Sequence, residues 1–142
     1  MASLHPYLNF NGNCEEAFTF YQSVFGGSFP QLMRFKDIPA EFSTPPDEAD
    51  RIMHVSLPIG NTSMLMGCDV PSSMEASKAG NNFHISINTE SKAEADRLFN
   101  GLAEGGKISM PMADAFWGSY FGMLTDRFGT RWMVSYDQNQ AN

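Results

Sequence analysis

Apolar and polar positions alternate along this chain in a way that predicts its elements in order. Tyr7, Leu8 and Phe10 fall close together in a short stretch that reads as a strand. Asn11-Gly12 supplies turn chemistry, and Asn13 stands where a side chain caps a following helix. Ala17, Phe20, Tyr21 and Val24 then recur at helical spacing and form the predicted buried stripe. Glu15 and Glu16 occupy the first turn, where the helix dipole favours negative charge. Gly26-Gly27 ends the helix as left-handed glycine caps do. A strand is predicted over residues 29–35, and a hairpin over 52–59 and 62–69, joined around Gly60-Asn61.

The same pattern returns in the second half. Phe83, Ile85 and Ile87 alternate with His84, Ser86 and Asn88, as a half-buried strand with one polar face requires. Ser91 is the predicted cap of the next helix, and Glu94-Ala95, Leu98, Phe99 and Leu102 repeat the earlier stripe at one constant offset. Gly105-Gly106 stops this helix as Gly26-Gly27 stops the first. Residues 107–112 read as a strand, and 120–125 with 130–136 as a closing hairpin around Asp126-Arg127-Phe128-Gly129.

Each half is therefore β-α-β-β-β, with module 1 at residues 4–70, module 2 at 80–137 and a linker at 70–80 rich in Ser and small residues. A four-stranded sheet with one helix covers only one of its faces. Two copies solve this by curving their mixed sheets around a shared cleft, so the expected fold is α+β, a single domain of two tandem βαβββ modules. Such a cleft is the default ligand site. Residues 37–51, with Pro39, Pro45 and Pro46, form a long loop that reads either as a lid or interface segment or as a plain surface loop.

Composition narrows the function classes. A formal net charge of -7 disfavours a nucleic-acid or anionic-membrane partner, because phosphates need a cationic surface. There is no apolar stretch long enough to span a bilayer and no signal-like N-terminus, so a soluble cytoplasmic protein is expected. Cys14 and Cys68 lack motif spacing, which fits a reducing compartment. Cys14 opens a helix, a position that can lower a thiol pKa, and reads chiefly as an unreactive thiol; Cys68-Asp69 ends a strand with no adjacent base implied by spacing.

The motifs Pro6-Tyr7-Leu8-Asn9-Phe10, Gly12-Asn13-Cys14-Glu15-Glu16-Ala17, Phe20-Tyr21 and Phe25-Gly26-Gly27 open module 1. Met110-Pro111-Met112, Trp117-Gly118, Phe121-Gly122, Asp126, Phe128-Gly129 and Trp132-Met133 follow in module 2. Together with the paired modules, they make the chain resemble the PhnB-like branch of the vicinal oxygen chelate superfamily, which includes glyoxalase I, extradiol dioxygenases and bleomycin-resistance proteins. No glycine-rich strand-helix junction for a methyl donor accompanies them, so the methyltransferase label that some PhnB-like proteins carry is set aside.

The resemblance implies four ligand positions for a divalent metal in the cleft. They map to His5 and Asn82 on the first strands, and to Met66 (or Met64 on the same face) and Met133 on the last strands. The superfamily pattern expects His or Glu, and only His5 fits. A thioether is a poor ligand for hard or borderline divalent ions. The expected function is therefore binding of a small apolar or aromatic molecule without the superfamily metal and with no cofactor. His5, Met66, Asn82, His84, Trp117 and Met133 are the ligand-binding candidates, and no catalytic residue is assigned. One alternative is a divalent-metal lyase, isomerase or dioxygenase using His5 and His84, with His54 or Asp69. Another is a dimeric interaction module with a self-filled cleft. A homodimer is expected in each case.

Overall fold

The computed structural model describes residues 2–39 and 46–138. The chain divides into two compact units, Met1–Lys78 and Ala79–Asn142, each holding one helix and a four-stranded mixed sheet. The boundary falls inside the segment expected to link the modules.

The first unit comprises β1 (Tyr7–Phe10), α1 (Cys14–Phe25), β2 (Gln31–Arg34), β3 (Ile52–Ile59) and β4 (Ser63–Asp69). The sheet order is β1-β4-β3-β2, with β1 parallel to β4 and the other pairs antiparallel. Leu8, Phe10, Val55, Leu57 and Leu65 are buried from the sheet, and Cys14, Ala17, Phe18, Tyr21 and Val24 from the helix. Alternation along the strands gives these residues one common face and sends their neighbours to the other.

Three local expectations change here. Phe18, rather than Phe20, is fully buried; Phe20 is half-buried. The reason lies on β4, where Gly67 has no side chain and the Phe18 ring takes the space. A Cβ at Gly67 would stand 2.7 Å from Phe18 Cε1 and 2.8 Å from the Leu8 carbonyl oxygen. Asn13 occupies the N-cap position, yet its side chain makes no capping hydrogen bond. Asp69 does that work from the end of β4: its Oδ1 accepts from the Gly12 and Cys14 N–H groups at 2.9 and 3.0 Å, and its Oδ2 accepts from Ile52 N–H at 2.9 Å. One carboxylate thus ties helix, β3 and β4 together. Gly26, which ends α1, has φ 80° and ψ -168°, so its positive φ belongs to an extended rather than a left-handed helical conformation.

Residues 40–45 of the expected 37–51 loop lie outside the described residues. Its described parts are tied down. Phe35 and Lys36 N–H groups donate to the Arg51 and Ala49 carbonyls. Buried Glu48 accepts from Arg51 Nη1 and from both the backbone N–H and the hydroxyl of Ser72. Ser77 bonds Asn9 and Asn11, so residues 72–77 also rest on the first unit.

The second unit comprises β5 (Ile85–Asn88), α2 (Lys92–Ala103), β6 (Lys107–Asp114), β7 (Ser119–Thr125) and β8 (Arg131–Asp137) in the order β5-β8-β7-β6, the same topology as the first. Ala95, Leu98, Phe99 and Leu102 of α2 are buried together with Leu124, Trp132 and Val134. Ser91 caps α2 as the sequence predicts, its Oγ accepting from Glu94 N–H at 3.0 Å. Phe83 is exposed and precedes β5, which begins only at Ile85. Buried Asp126 shapes the closing turn: it accepts from the Phe128 and Thr130 N–H groups and from Trp132 Nε1.

Candidate functional site

In each unit the helix covers one sheet face and leaves the other for chemistry. On the first sheet, the ladders arrange the helix-free face in rows. One row runs Tyr7, Met66, Ser56, Gln31. The next begins with Asn9 opposite Cys68 and ends with Met33 opposite His54. Cys68 and His54 are themselves neighbours, one step beyond the Val55–Gly67 pair. Met64 and Met66 both belong to this face, since Leu65 between them is buried on the other.

Tyr7 reaches diagonally across β4, and its hydroxyl lies 3.2 Å from His54 Nδ1. The two rings sit 5.7 Å apart at a 30° tilt. Cys68 Sγ donates to Asn9 Oδ1 at 3.5 Å. Burial pushes the Cys68 thiol above its ordinary pKa, and the Tyr7 hydroxyl on the neighbouring strand opposes that rise. Burial likewise raises the Tyr7 phenol, helped by the sulfur beside it. Cys14 is wholly buried, and burial together with the Asp69 charge raises its thiol, which leaves it inert despite its place at a helix start.

The six candidates occupy unequal positions. His5 is exposed, and both ring nitrogens are engaged: Nδ1 accepts from Met64 N–H at 3.1 Å, and Nε2 meets Ser3 Oγ at 3.2 Å. His5 thus extends the β1–β4 ladder with a side chain in place of a carbonyl. Met66 is half-buried between Tyr7 and Ser56. On the second sheet Met133 is half-buried between Ser86 and Met123. Trp117 is 55% exposed and packs edge-on against Phe121 and Phe116. Asn82 is exposed and outside any strand. His84 is half-buried, and among the described residues its Nε2 is the one buried side-chain nitrogen or oxygen without a hydrogen-bond partner.

The ladders also set the register of the internal repeat. Met66 is opposite Tyr7, and Met133 is opposite Ser86. Matching the two methionines therefore matches His5 with His84, each two residues before its partner, and leaves Asn82 two positions further out.

The donor set does not fit the superfamily's divalent metal. Met66 and Met133 offer thioethers, and among the described residues no group of three or more His, Cys, Asp or Glu side chains could hold an ion. Asp69 lies on the helix face with both oxygens committed to backbone N–H groups. Spacing along the chain concealed the contact of Tyr7, His54 and Cys68. They sit on three strands, and only the ladder register brings them together.

A family model described as the Glyoxalase/Bleomycin resistance protein/Dioxygenase superfamily matches residues 3–134. Protein YjdN of Escherichia coli (strain K12) is 33% identical, over 96% of this chain and 97% of its own length. Among solved structures, protein PA1353 from Pseudomonas aeruginosa is 44% identical with a TM-score of 0.84, covering 96% of this chain and 98% of its own. A PhnB protein from Bacillus cereus, provisionally named a 3-demethylubiquinone-9 3-methyltransferase, shares the fold at 24% identity and a TM-score of 0.74, over 95% and 99% of the two chains.

Proposed function

This chain belongs to the glyoxalase/bleomycin resistance protein/dioxygenase superfamily, and on that premise we propose that it binds a small apolar or aromatic molecule on the helix-free sheet faces without the superfamily's divalent metal. The observation that carries this reading is the pair Met66 and Met133. Each is half-buried on the face away from its helix, at a strand position where the resemblance calls for a metal ligand. Thioethers there favour soft, adaptable apolar contact over coordination of a hard ion. Tyr7 beside Met66, and Phe121 and Trp117 on the second unit, add flat aromatic surface. In this reading the protein is a homodimer, which sedimentation velocity tests.

The test has two arms. Elemental analysis of untagged protein purified without chelator gives metal far below one equivalent, with no difference in His5→Ala. A thermal-shift screen of aromatic and apolar compounds finds a class that raises Tm, and the gain shrinks in Met66→Lys and Met133→Lys. Near-stoichiometric metal that disappears in His5→Ala would overturn the reading, and so would a screen in which no compound class shifts Tm.

A further inference from the structure

We propose that the helix-free face of the second unit takes an amphipathic anion, a small molecule whose apolar or aromatic body lies over a row of methionines and whose carboxylate-type head sits between Arg131 and Lys107. The proposal rests on the binding reading above and deepens it by naming the ligand class.

The ladders order this face in rows across β6, β7 and β8. One row is Lys107, Thr125 and Arg131, and the next is Met110, Met123 and Met133. Leu124, Trp132 and Val134 alternate with these residues along β7 and β8 and are buried on the other face with α2. Phe121 follows on β7, with the Trp117 ring packed against it. Rows two residues apart along a strand lie about 7 Å apart. A cationic end therefore adjoins an apolar floor, at the separation of head and body in one small molecule.

The charges at that end are unanswered within the chain. With 16 acidic residues against 9 basic ones, a cation here readily finds a carboxylate. Arg34, Lys36, Arg51 and Lys92 each hold one, whereas Lys107 and Arg131 form no ion pair among the described residues. Arg131 is half-buried, and its Nη1 donates to the Asn81 carbonyl, which orients the guanidinium and leaves its other N–H groups for an acceptor. Cross-strand neighbours have Cβ atoms about 5 Å apart, so Lys107 and Arg131 stand about 10 Å apart with Thr125 between them. Both long side chains reach an anionic group held over Thr125, whose hydroxyl can donate to it as well. The guanidinium fork matches two oxygens of one head, and the thioethers beside it lower the local dielectric and strengthen the attraction.

The experiment is a fluorescence titration of the full chain with anilinonaphthalene sulfonate and with its neutral parent, phenylnaphthylamine, which has the same aromatic body and no anionic head. The sulfonate is expected to bind about 10-fold more tightly at low salt, a gain that shrinks at high salt. Arg131→Gln and Lys107→Gln should each remove much of that gain and leave the neutral dye unchanged. Glutamine can still donate to the Asn81 carbonyl, and Lys107 is exposed, so the second variant does not depend on the first one folding. Lys36→Gln, which removes the same charge from the first unit, should leave both dyes unchanged. Equal affinity for the two dyes would overturn the anionic-head site while the binding reading stands. An equal loss in Lys36→Gln would also overturn it, as general charge attraction. If neither dye binds, the head site and the binding reading fall together.

Discussion

Replacing Asp69 with alanine should be among the most damaging single changes in the first unit. The side chain is 1% exposed and accepts three backbone hydrogen bonds, from Gly12, Cys14 and Ile52. Hydrogen bonds to a charged group contribute about 1.5–3 kcal/mol each, and a buried donor left unpaired costs about 1–3 kcal/mol. The two donors at the start of α1 regain water more easily than Ile52 N–H, so the three losses do not add fully. We expect about 4 kcal/mol for Asp69→Ala. Asp69→Asn keeps one accepting oxygen but turns an NH2 toward a donor, and should cost about half as much, on the same scale. Against a typical domain stability of about 5–15 kcal/mol, the alanine variant stands near unfolding. With a urea slope of about 2 kcal/mol/M, its midpoint should fall by about 2 M. Far-UV circular dichroism follows both units, while both tryptophans, Trp117 and Trp132, report on the second unit alone. A circular-dichroism midpoint that moves by less than about 0.5 M would refute the reasoning, since that corresponds to about 1 kcal/mol, the size of one ordinary cap.

Three further expectations use the same denaturation assay. Asn13→Ala should cost less than about 0.5 kcal/mol, because Asn13 makes no capping bond, while Ser91→Ala should cost about 1 kcal/mol; equal losses would contradict the assigned caps. Gly67→Ala should destabilise by about 1–3 kcal/mol through overpacking against Phe18 and the Leu8 carbonyl, and Phe18→Leu in that background should recover part of the loss. Arg34 holds the Glu15 carboxyl below its ordinary pKa of 4.5, so the pair stabilises the fold above that pH and its contribution fades as pH falls through the folded value. Because Glu15 is half-exposed, Glu15→Gln should cost no more than about 0.5 kcal/mol at pH 7 and nothing at strongly acid pH, with the difference shrinking in high salt.

Whatever depends on a residue and its near neighbours was legible along the chain. The element order, the hairpin of Ile52–Ile59 and Ser63–Asp69, and the Ser91 cap all follow from spacing of a few residues. So does the repeat, because both halves bury the same kind of stripe. Contacts decided by strand register were not legible. Phe18 displaces Phe20 from the core because Gly67 makes room for its ring, 49 positions away along the chain. Asp69 supplants Asn13 because a carboxylate on β4 meets the helix start first. His5 with Asn82 was the natural pairing by offset, yet the ladders align His5 with His84.

The sequence by itself determined the two βαβββ modules, since local periodicity suffices for them, and its motifs carried the resemblance that pointed to the family and that placed Met66 and Met133 at ligand positions. Tertiary structure alone decided which side chains touch on the helix-free face. A one-residue slip in register would send Tyr7 or Cys68 to the opposite side of the sheet. Cross-strand pairing, rather than any motif, therefore brings the Tyr7 phenol to the His54 imidazole and the Cys68 thiol to the Asn9 amide.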